Sequence, residues 1–187
     1  GWLDEPNANA AARYGLTVAL VRAGKLETAN EELARLTREQ PERSAFYLTQ
    51  ADLALAADRP AAALTAIEDG LSLFPDDYAL RYRQVEALVA AQQPRDALDA
   101  ADSAIERHDW ATELLALKAR AADAAGETAE AALAMGRYYA ARGELRSALH
   151  QIDDVLAQAG ADGYQRSRAR ALKKRWQEAL ASRPEGG

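Results

Sequence analysis

The sequence has no cysteine and few of the side chains that usually carry chemistry. Its 187 residues contain no cysteine, two histidines, two phenylalanines and one methionine. The lack of cysteine excludes disulfides and thiolate chemistry and leaves the redox compartment open. No apolar run approaches the roughly 18–20 residues that a membrane-spanning helix needs. These absences exclude the disulfide-rich, thiol-dependent and helical membrane-spanning classes of protein.

The remaining candidates for catalysis or metal binding do not form a motif. His108 and His150 lie far apart along the chain, and neither stands in a His-Glu-x-x-His frame. We expect both histidines to face solvent near helix ends. The pair Asp76-Asp77 follows Pro75 and is typical of a helix N-cap rather than a metal site. The sequence therefore predicts no catalytic residue, no metal and no cofactor, and the chain is not expected to be an enzyme.

The composition favours an acidic, helical protein. There are 29 acidic and 23 basic residues, which gives a net charge of −6. A general nucleic-acid binder would carry a basic stripe, so we expect no nucleic-acid partner. Alanine, leucine, glutamate and arginine dominate, and these residues favour helix over strand. We find no signal-peptide pattern, and the start at Gly1-Trp2-Leu3 suggests an excised fragment or a processed chain.

A repeat period of about 34 residues organises the chain. Four turn residues recur at this spacing, and an alanine follows each of them five positions later. Small residues at a fixed place allow two helices to approach closely, and proline ends the second helix of a pair. The pattern resembles the tetratricopeptide repeat (TPR) and predicts an all-α, right-handed TPR-type solenoid of about ten helices. The matched positions are Gly24, Asp58, Gln92 and Gly126, followed by Ala29, Ala63, Ala97 and Ala131.

The period also predicts the organisation of a single domain over residues 1–187. Four repeats span about 10–43, 44–77, 78–111 and 112–142. Gly143 then follows Gly126 after only half a period. We therefore expect the helix over about 128–142 to close the fourth repeat and to open the next hairpin. An additional hairpin and a capping helix fill about 143–181, and the tail 182–187 is expected to be disordered.

The C-terminal half carries a more specific likeness. It reads ELLAL at 113–117, GRYYAARGEL at 136–145 and YQRSRAR at 164–170. These segments resemble the C-terminal TPR domain of bacterial periplasmic zinc metallopeptidases of the beta-barrel assembly-enhancing type. The resemblance covers nearly all of the chain, although most of its motifs are general TPR features. It implies a half-repeat step and a closing basic helix after four repeats.

The resemblance also implies a function. It would make this chain the non-catalytic, partner-binding part of a periplasmic peptidase in outer-membrane protein quality control. Unfolded outer-membrane proteins or assembly-machinery subunits would be its partners, and a peptidase domain would precede it in the same polypeptide. The alternative is a free-standing TPR adaptor or co-chaperone scaffold. A self-contained hydrolase is a third, weaker hypothesis, because a spatial triad leaves no mark in the sequence.

The TPR fold places the concave face on the first helix, helix A, of each repeat. Positions 5 and 12 of these helices are mostly apolar or aromatic, and position 9 is mostly charged. Such a groove suits an extended or helical peptide. Packing of the same tyrosines and leucines against neighbouring helices is an equally open interpretation. The predicted protein-binding residues are Tyr14, Val18, Leu48, Asp52, Leu55, Tyr82, Glu86, Val89 and Arg120.

The last predicted helix offers a second surface. Between Tyr164 and Ser182 it carries six basic residues against a single acid. An apolar stripe at helical spacing, which includes Trp176, is expected to cap the repeat array. Trp2 and Trp110 are expected to be packing residues. The basic face either meets an acidic partner or is simply solvated, and its candidate contacts are Arg166, Arg170 and Lys173.

Overpacking tests the repeat register. If Ala63 and Ala97 lie where helices A and B meet, Ala63→Leu or Ala97→Leu forces a larger side chain into a closed contact. We expect each variant to lose about 1–3 kcal/mol of stability and to melt at a clearly lower temperature. Thermal unfolding followed by circular dichroism measures this, and an unchanged melting curve would contradict the register.

Overall fold

The computed structural model describes the backbone of residues 5–182 and the side chains of residues 9–182. Every regular element in this part of the chain is an α-helix, and there are ten of them, as the sequence predicts. The helices are α1 (Glu5–Arg22), α2 (Leu26–Glu39), α3 (Ser44–Ala56), α4 (Pro60–Leu73), α5 (Tyr78–Ala90), α6 (Pro94–Arg107), α7 (Thr112–Ala124), α8 (Thr128–Ala141), α9 (Leu145–Ala157) and α10 (Gly163–Ala181).

The described chain divides between Ala91 and Gln92 into two compact units. The first unit holds α1–α5 and the second holds α6–α10. The division falls between the two helices of the third sequence repeat. The single domain and the repeat boundaries inferred from the sequence stay predictions, and the tail beyond residue 182, like Trp2, lies outside the described residues.

The turn residues of the repeat period share one backbone conformation. Gly24, Gly126 and Gly143 have φ between 72° and 80°, and Asp58 and Gln92 have φ of 54° and 58°. A positive φ reverses the chain directly after a helix, which glycine allows without steric cost and other residues adopt rarely. One conformation therefore ends the first helix of each hairpin, whichever residue occupies the position.

Prolines and one capping side chain mark the starts of three helices. Pro60 and Pro94 are the first residues of α4 and α6. The Asp77 side chain accepts a hydrogen bond from Leu80 N at 3.0 Å and so caps α5 as expected. Helix α1 begins at Glu5, before the start at about residue 10 that the sequence predicts for the first repeat.

The small residues of the period lie at closed contacts between helices. Ala29, Ala63 and Ala97 are fully buried, and Ala51 of α3 packs in the same cluster as Ala63 of α4. Ala131 of α8 departs from this pattern, because it is only partly buried. The neighbouring Ala62 is exposed and so provides a matched control for leucine substitution at Ala63.

A glycine that the period does not mark controls the packing of the first unit. Gly70 of α4 is buried, and a methyl group at its Cα would lie 2.8 Å from Tyr47 Cβ and 2.9 Å from Leu80 Cδ1. Distances this short do not occur between carbon atoms without movement of the neighbours. Helix α4 can therefore approach α3 and α5 only because residue 70 has no side chain.

The second unit contains the half-repeat step. Helix α8 packs against α9 as extensively as against α7, so it takes part in two hairpins, as the position of Gly143 predicts. Helix α10 then packs on α9 and α8. Trp176 is 6% exposed, and Leu172, Ala179 and Leu180 lie against the same core cluster, so the apolar stripe of the last helix is a capping face.

Two expectations about single residues are wrong. His108 does not face solvent: it is 8% exposed at the C-terminal end of α6, with its ring edge-on to Trp110 at 5.9 Å between centroids. Trp110 in turn is 68% exposed and is therefore not a core packing residue. The turn between α6 and α7 buries the smaller imidazole and leaves the indole outside. His150 is exposed, as expected.

Alanine substitution at two glycines tests the close approach at residue 70. Gly70→Ala should cost about 1–3 kcal/mol of stability through steric overlap, although alanine favours helix over glycine by about 1 kcal/mol. Gly15→Ala in α1 is the matched control, since nothing lies within 4 Å of a methyl group there. Urea denaturation should show opposite shifts for the two variants. Equal stabilisation of both would show that α4 does not approach α3 this closely.

Candidate protein-binding surfaces

The predicted groove residues of the first unit are all only partly buried. Tyr14 and Val18 lie on α1, Leu48, Asp52 and Leu55 on α3, and Tyr82, Glu86 and Val89 on α5. Helices α3 and α5 contact each other directly, so their predicted residues belong to one surface. We call the partly exposed side chains of this pair, Leu48, Tyr82 and Val89, the apolar row.

Tyr14 serves mainly as a packing residue. Its ring lies 5.4 Å from that of Phe46, and its hydroxyl is 2.9 Å from Thr49 Oγ1. It also packs against a core cluster that includes Leu33 and Leu36. Leu55 packs on the next cluster, around Ile67. At these two positions the packing interpretation is supported, whereas the apolar row lies outside both clusters.

An ion network braces α3 against α5. Arg83 Nε lies 2.7 Å from Asp52 Oδ1, and the same guanidinium contacts Glu86 one turn further along α5. Burial raises the pKa of Asp52 more than the charge of Arg83 lowers it, and the nearby Glu86 carboxylate adds to the rise. The two acids at position 9 are thus held beside the apolar row by Arg83, which the sequence analysis did not select.

A concave site in the first unit includes residues that the sequence analysis missed. A cavity of about 390 Å³ lies between the start of α3 and the first half of α1. Tyr14 lines it together with Phe46 and Phe74, which are the only phenylalanines of the chain. That rarity was the one sequence signal available for them. Their burial, however, depends on the packing of α1, α3 and the end of α4.

In the second unit, the predicted position-9 residue Arg120 lines a cavity of about 370 Å³. Ala116 and Asp123, the position-5 and position-12 residues of the same helix, also line it. Met135 of α8 and Gln151 of α9 complete the wall. The half-repeat step brings α9 to this place, and Ala131, which also lines the cavity, is only partly buried there. The TPR positions along α7 predicted the residues of one wall of the cavity, but they did not predict the residues that α8 and α9 contribute to the other wall.

Some of the basic side chains of α10 contact α9 or the turn after it, and others are exposed to solvent. Arg166 Nη2 donates to the carbonyl oxygens of Gln158 at 2.9 Å and Ala159 at 3.2 Å, where it caps α9. Lys173 Nζ lies 2.6 Å from Asp153 Oδ1. Arg170 is exposed. Two of the three predicted basic contacts therefore hold α10 in place, and only Arg170 is fully presented to solvent.

An ion cluster around the buried Lys118 joins α6, α7, α8 and α10, and no sequence motif indicated it. The Lys118 side chain is 6% exposed, with Nζ 2.6 Å from Asp102 Oδ1 and 2.7 Å from Glu130 Oε1. Arg168 reaches the same Glu130 carboxylate at 3.1 and 3.3 Å. Burial raises the pKa of Glu130, but hydrogen bonds and charges from Lys118 and Arg168 outweigh it and lower that pKa overall.

Two classes of site find no support in the described part of the chain. No three histidine or acidic side chains among residues 9–182 are placed to hold a metal ion. No helix within residues 5–182 is long and apolar enough to cross a membrane.

Comparison with solved structures shows the fold. No protein-family model matches the chain, and no curated protein matches its sequence. A MamA fragment from Desulfovibrio magneticus RS-1 superimposes with a TM-score of 0.65 at 16% identity over 94% of this chain and 97% of its own. PilW, a type IV pilus biogenesis factor, gives 0.57 at 14% identity over 96% of both chains. TTC0263, a thermophilic TPR protein of Thermus thermophilus, gives 0.56 at 19% identity over 87% and 98%.

These structures establish the fold of the chain. The chain has a TPR-like solenoid fold. Identities as low as these show the fold alone, so membership of the metallopeptidase family stays a prediction. The same is true of the individual binding residues and of the absence of catalysis.

The lowered pKa of Glu130 predicts a specific acid sensitivity. Because the folded-state pKa lies below the usual value of 4.5, ionised Glu130 stabilises the fold at neutral pH. This contribution is lost as the pH falls from about 4.5 through the folded-state pKa. Glu130→Gln should cost about 1–3 kcal/mol at pH 7, and the difference from wild type should narrow below pH 4.5.

Urea denaturation at several pH values measures this effect. Glu127→Gln is the matched control, because Glu127 is exposed and has no ion-pair partner among residues 9–182. It should follow the wild-type curve throughout. A constant gap between Glu130→Gln and wild type across the whole pH range would contradict the assigned shift.

Proposed function

We propose that this chain is a protein-binding domain that takes an extended or helical segment of a partner on the helix-A face of its first unit. The observation that carries this proposal is the apolar row, with Leu48, Tyr82 and Val89 partly exposed on two helices in contact. The fully buried alanines Ala29 and Ala63 show that the chain closes its helix contacts elsewhere. Partly exposed aromatic and aliphatic side chains on a rigid surface are typical anchors for a partner.

The charged residues beside the apolar row support a peptide ligand. The Asp52–Arg83–Glu86 network fixes two carboxylates next to Tyr82 and Leu48. A bound segment would pack its apolar side chains on the row and direct its polar groups to these acids. In the second unit, Arg120 and Asp123 give the cavity beside α7 one charge of each sign. Both places favour discrimination between partners by charge as well as by shape.

We further propose, from the resemblance of the C-terminal half, that the partner is an unfolded outer-membrane protein or an assembly-machinery subunit in the periplasm. The chain would then act beside a zinc peptidase domain of the same polypeptide. A free-standing adaptor or co-chaperone scaffold is the alternative, and PilW shows that this fold occurs in a pilus biogenesis factor. The sequence of the full gene product decides between them. A signal peptide with a His-Glu-x-x-His motif supports the peptidase, and its absence supports the adaptor.

Truncation of the apolar row tests the binding surface. Leu48→Ala together with Tyr82→Ala should weaken binding by about 2 kcal/mol or more, as loss of an interface hot spot does. The probe is a fluorescein-labelled outer-membrane barrel protein diluted from urea, followed by fluorescence anisotropy. Reduced, carboxymethylated α-lactalbumin serves as a general unfolded protein. Tyr14 is left unchanged, because its packing on Phe46 would confuse binding with stability.

The controls separate this surface from the others. Leu73→Ala removes an exposed leucine of α4, which is 53% accessible and lies on a second helix of a hairpin. It should leave binding unchanged. If the double variant binds normally while Arg170→Gln abolishes binding, the partner docks on α10 by charge. A strong loss of binding between low and physiological salt would also indicate a charged surface, because salt screens exposed charges and not apolar contacts.

A further inference from the structure

A second cavity in the second unit is separate from all of the predicted binding residues. It has a volume of about 620 Å³ and is bounded by α6, α7, α8 and α10. Its floor is the ion cluster of Lys118, Asp102, Glu130 and Arg168. Neither Arg120 nor the predicted basic contacts of α10 line it.

The charged side chains on the floor of the cavity are already paired with one another. Each carboxylate oxygen that Lys118 contacts lies within 2.7 Å of its Nζ, and Arg168 shares Glu130 with it. Because Lys118 pairs with both acids and Arg168 shares Glu130, the cluster offers no unpaired charge to a ligand, although the Asp102 side chain is 53% exposed. Its role is to hold four helices at fixed positions around the cavity.

The rim, in contrast, carries charges that have no partner in the described chain. Arg95 of α6 and Arg137 of α8 form no ion pair with any of residues 9–182, and the same holds for Asp99 and Glu127. Taken with the floor, four cations and four carboxylates line the cavity, so it has no net charge. A polyanion such as nucleic acid or polyphosphate would be repelled by the acids as strongly as it is attracted by the arginines.

An aromatic side chain stands at the α10 side of the cavity. Tyr164 is 70% exposed, and the Arg168 guanidinium lies 5.5 Å from the centre of its ring. The arginine, held by Glu130, fixes one face of the ring through a cation–π contact. The exposed part of the ring offers a flat apolar surface, which usually anchors an aromatic or aliphatic side chain at interfaces.

We propose that this cavity is a second binding site, which takes a peptide segment of mixed charge with one large apolar side chain. An acidic side chain of the segment would pair with Arg95 and Arg137, and a basic one with Asp99 and Glu127. The apolar side chain would pack on Tyr164. This site differs in location and in ligand from the apolar row of the first unit, so the failure of either proposal leaves the other standing.

Binding of short peptides to the whole chain tests the proposal. Four pools of fluorescein-labelled octapeptides share one phenylalanine and carry either one Glu and one Lys, two Glu, two Lys or two Gln. Fluorescence anisotropy should show the mixed-charge pool binding at least about tenfold more tightly than the other three. Arg95→Gln with Arg137→Gln, or Tyr164→Ala alone, should each weaken binding of that pool by about tenfold.

Lys174→Gln is the matched control, because it removes an exposed cation of α10 that does not line the cavity. It should bind the mixed-charge pool like wild type. If the arginine double variant unfolds, Arg137→Lys replaces it. This variant keeps the positive charge but loses the planar guanidinium that binds a carboxylate with two hydrogen bonds, so it should weaken binding measurably. Tightest binding of the two-Glu pool, equal binding of all pools, or equal loss with Lys174→Gln would overturn the proposal.

Discussion

The closest approach of paired helices is the constraint on which the rest of this structure depends. Where two paired helices come closest, the residue is alanine or glycine. Ala29, Ala63, Ala97 and Ala148 are fully buried, and Gly70 has no room for a side chain. Buried leucines such as Leu33 and Leu80 then pack around these points. A larger residue at a crossing separates two helices and so opens the contacts on both sides. This is why a helical chain with only two phenylalanines still forms closed cores.

The half-repeat step has consequences beyond the count of helices. Because α8 pairs with both α7 and α9, α9 reaches the side of α7 and closes a cavity there. The same step brings α10 over α8. The Trp176 ring packs there against Gly136, and a methyl group added at Gly136 would lie only 3.3 Å from that ring. Once α10 lies there, Arg168 meets Glu130 and completes the ion cluster around Lys118. One irregularity in the period thus places the cap, the Arg168 arm of the ion cluster and the α9 and α10 walls of the two cavities described above.

Packing and binding compete for the same residues on the first helices of the hairpins. Tyr14 contributes its ring and hydroxyl to the contact with α3, so little of it is left for a partner. Leu48, Tyr82 and Val89 are only partly buried, and Arg83 with its two acids adds a contact between α3 and α5 beside them. On α10 the competition is electrostatic, and the contacts of Arg166 and Lys173 leave Arg170 exposed.

Local patterns in the sequence determined the helices, their turns and the capping stripe. Glycine, proline and alanine act through backbone conformation and size, which depend on neighbours within one hairpin; hence ten helices, the positive φ at each turn and the buried Ala63 were predictable. The burial of His108, the exposure of Trp110 and the closeness of Gly70 to Tyr47 were not, because each depends on which helix lies opposite. The same holds for the Lys118 cluster, whose members come from four helices, from α6 to α10. A charge gains a partner there only through tertiary packing, since no local pattern encodes a contact between distant helices.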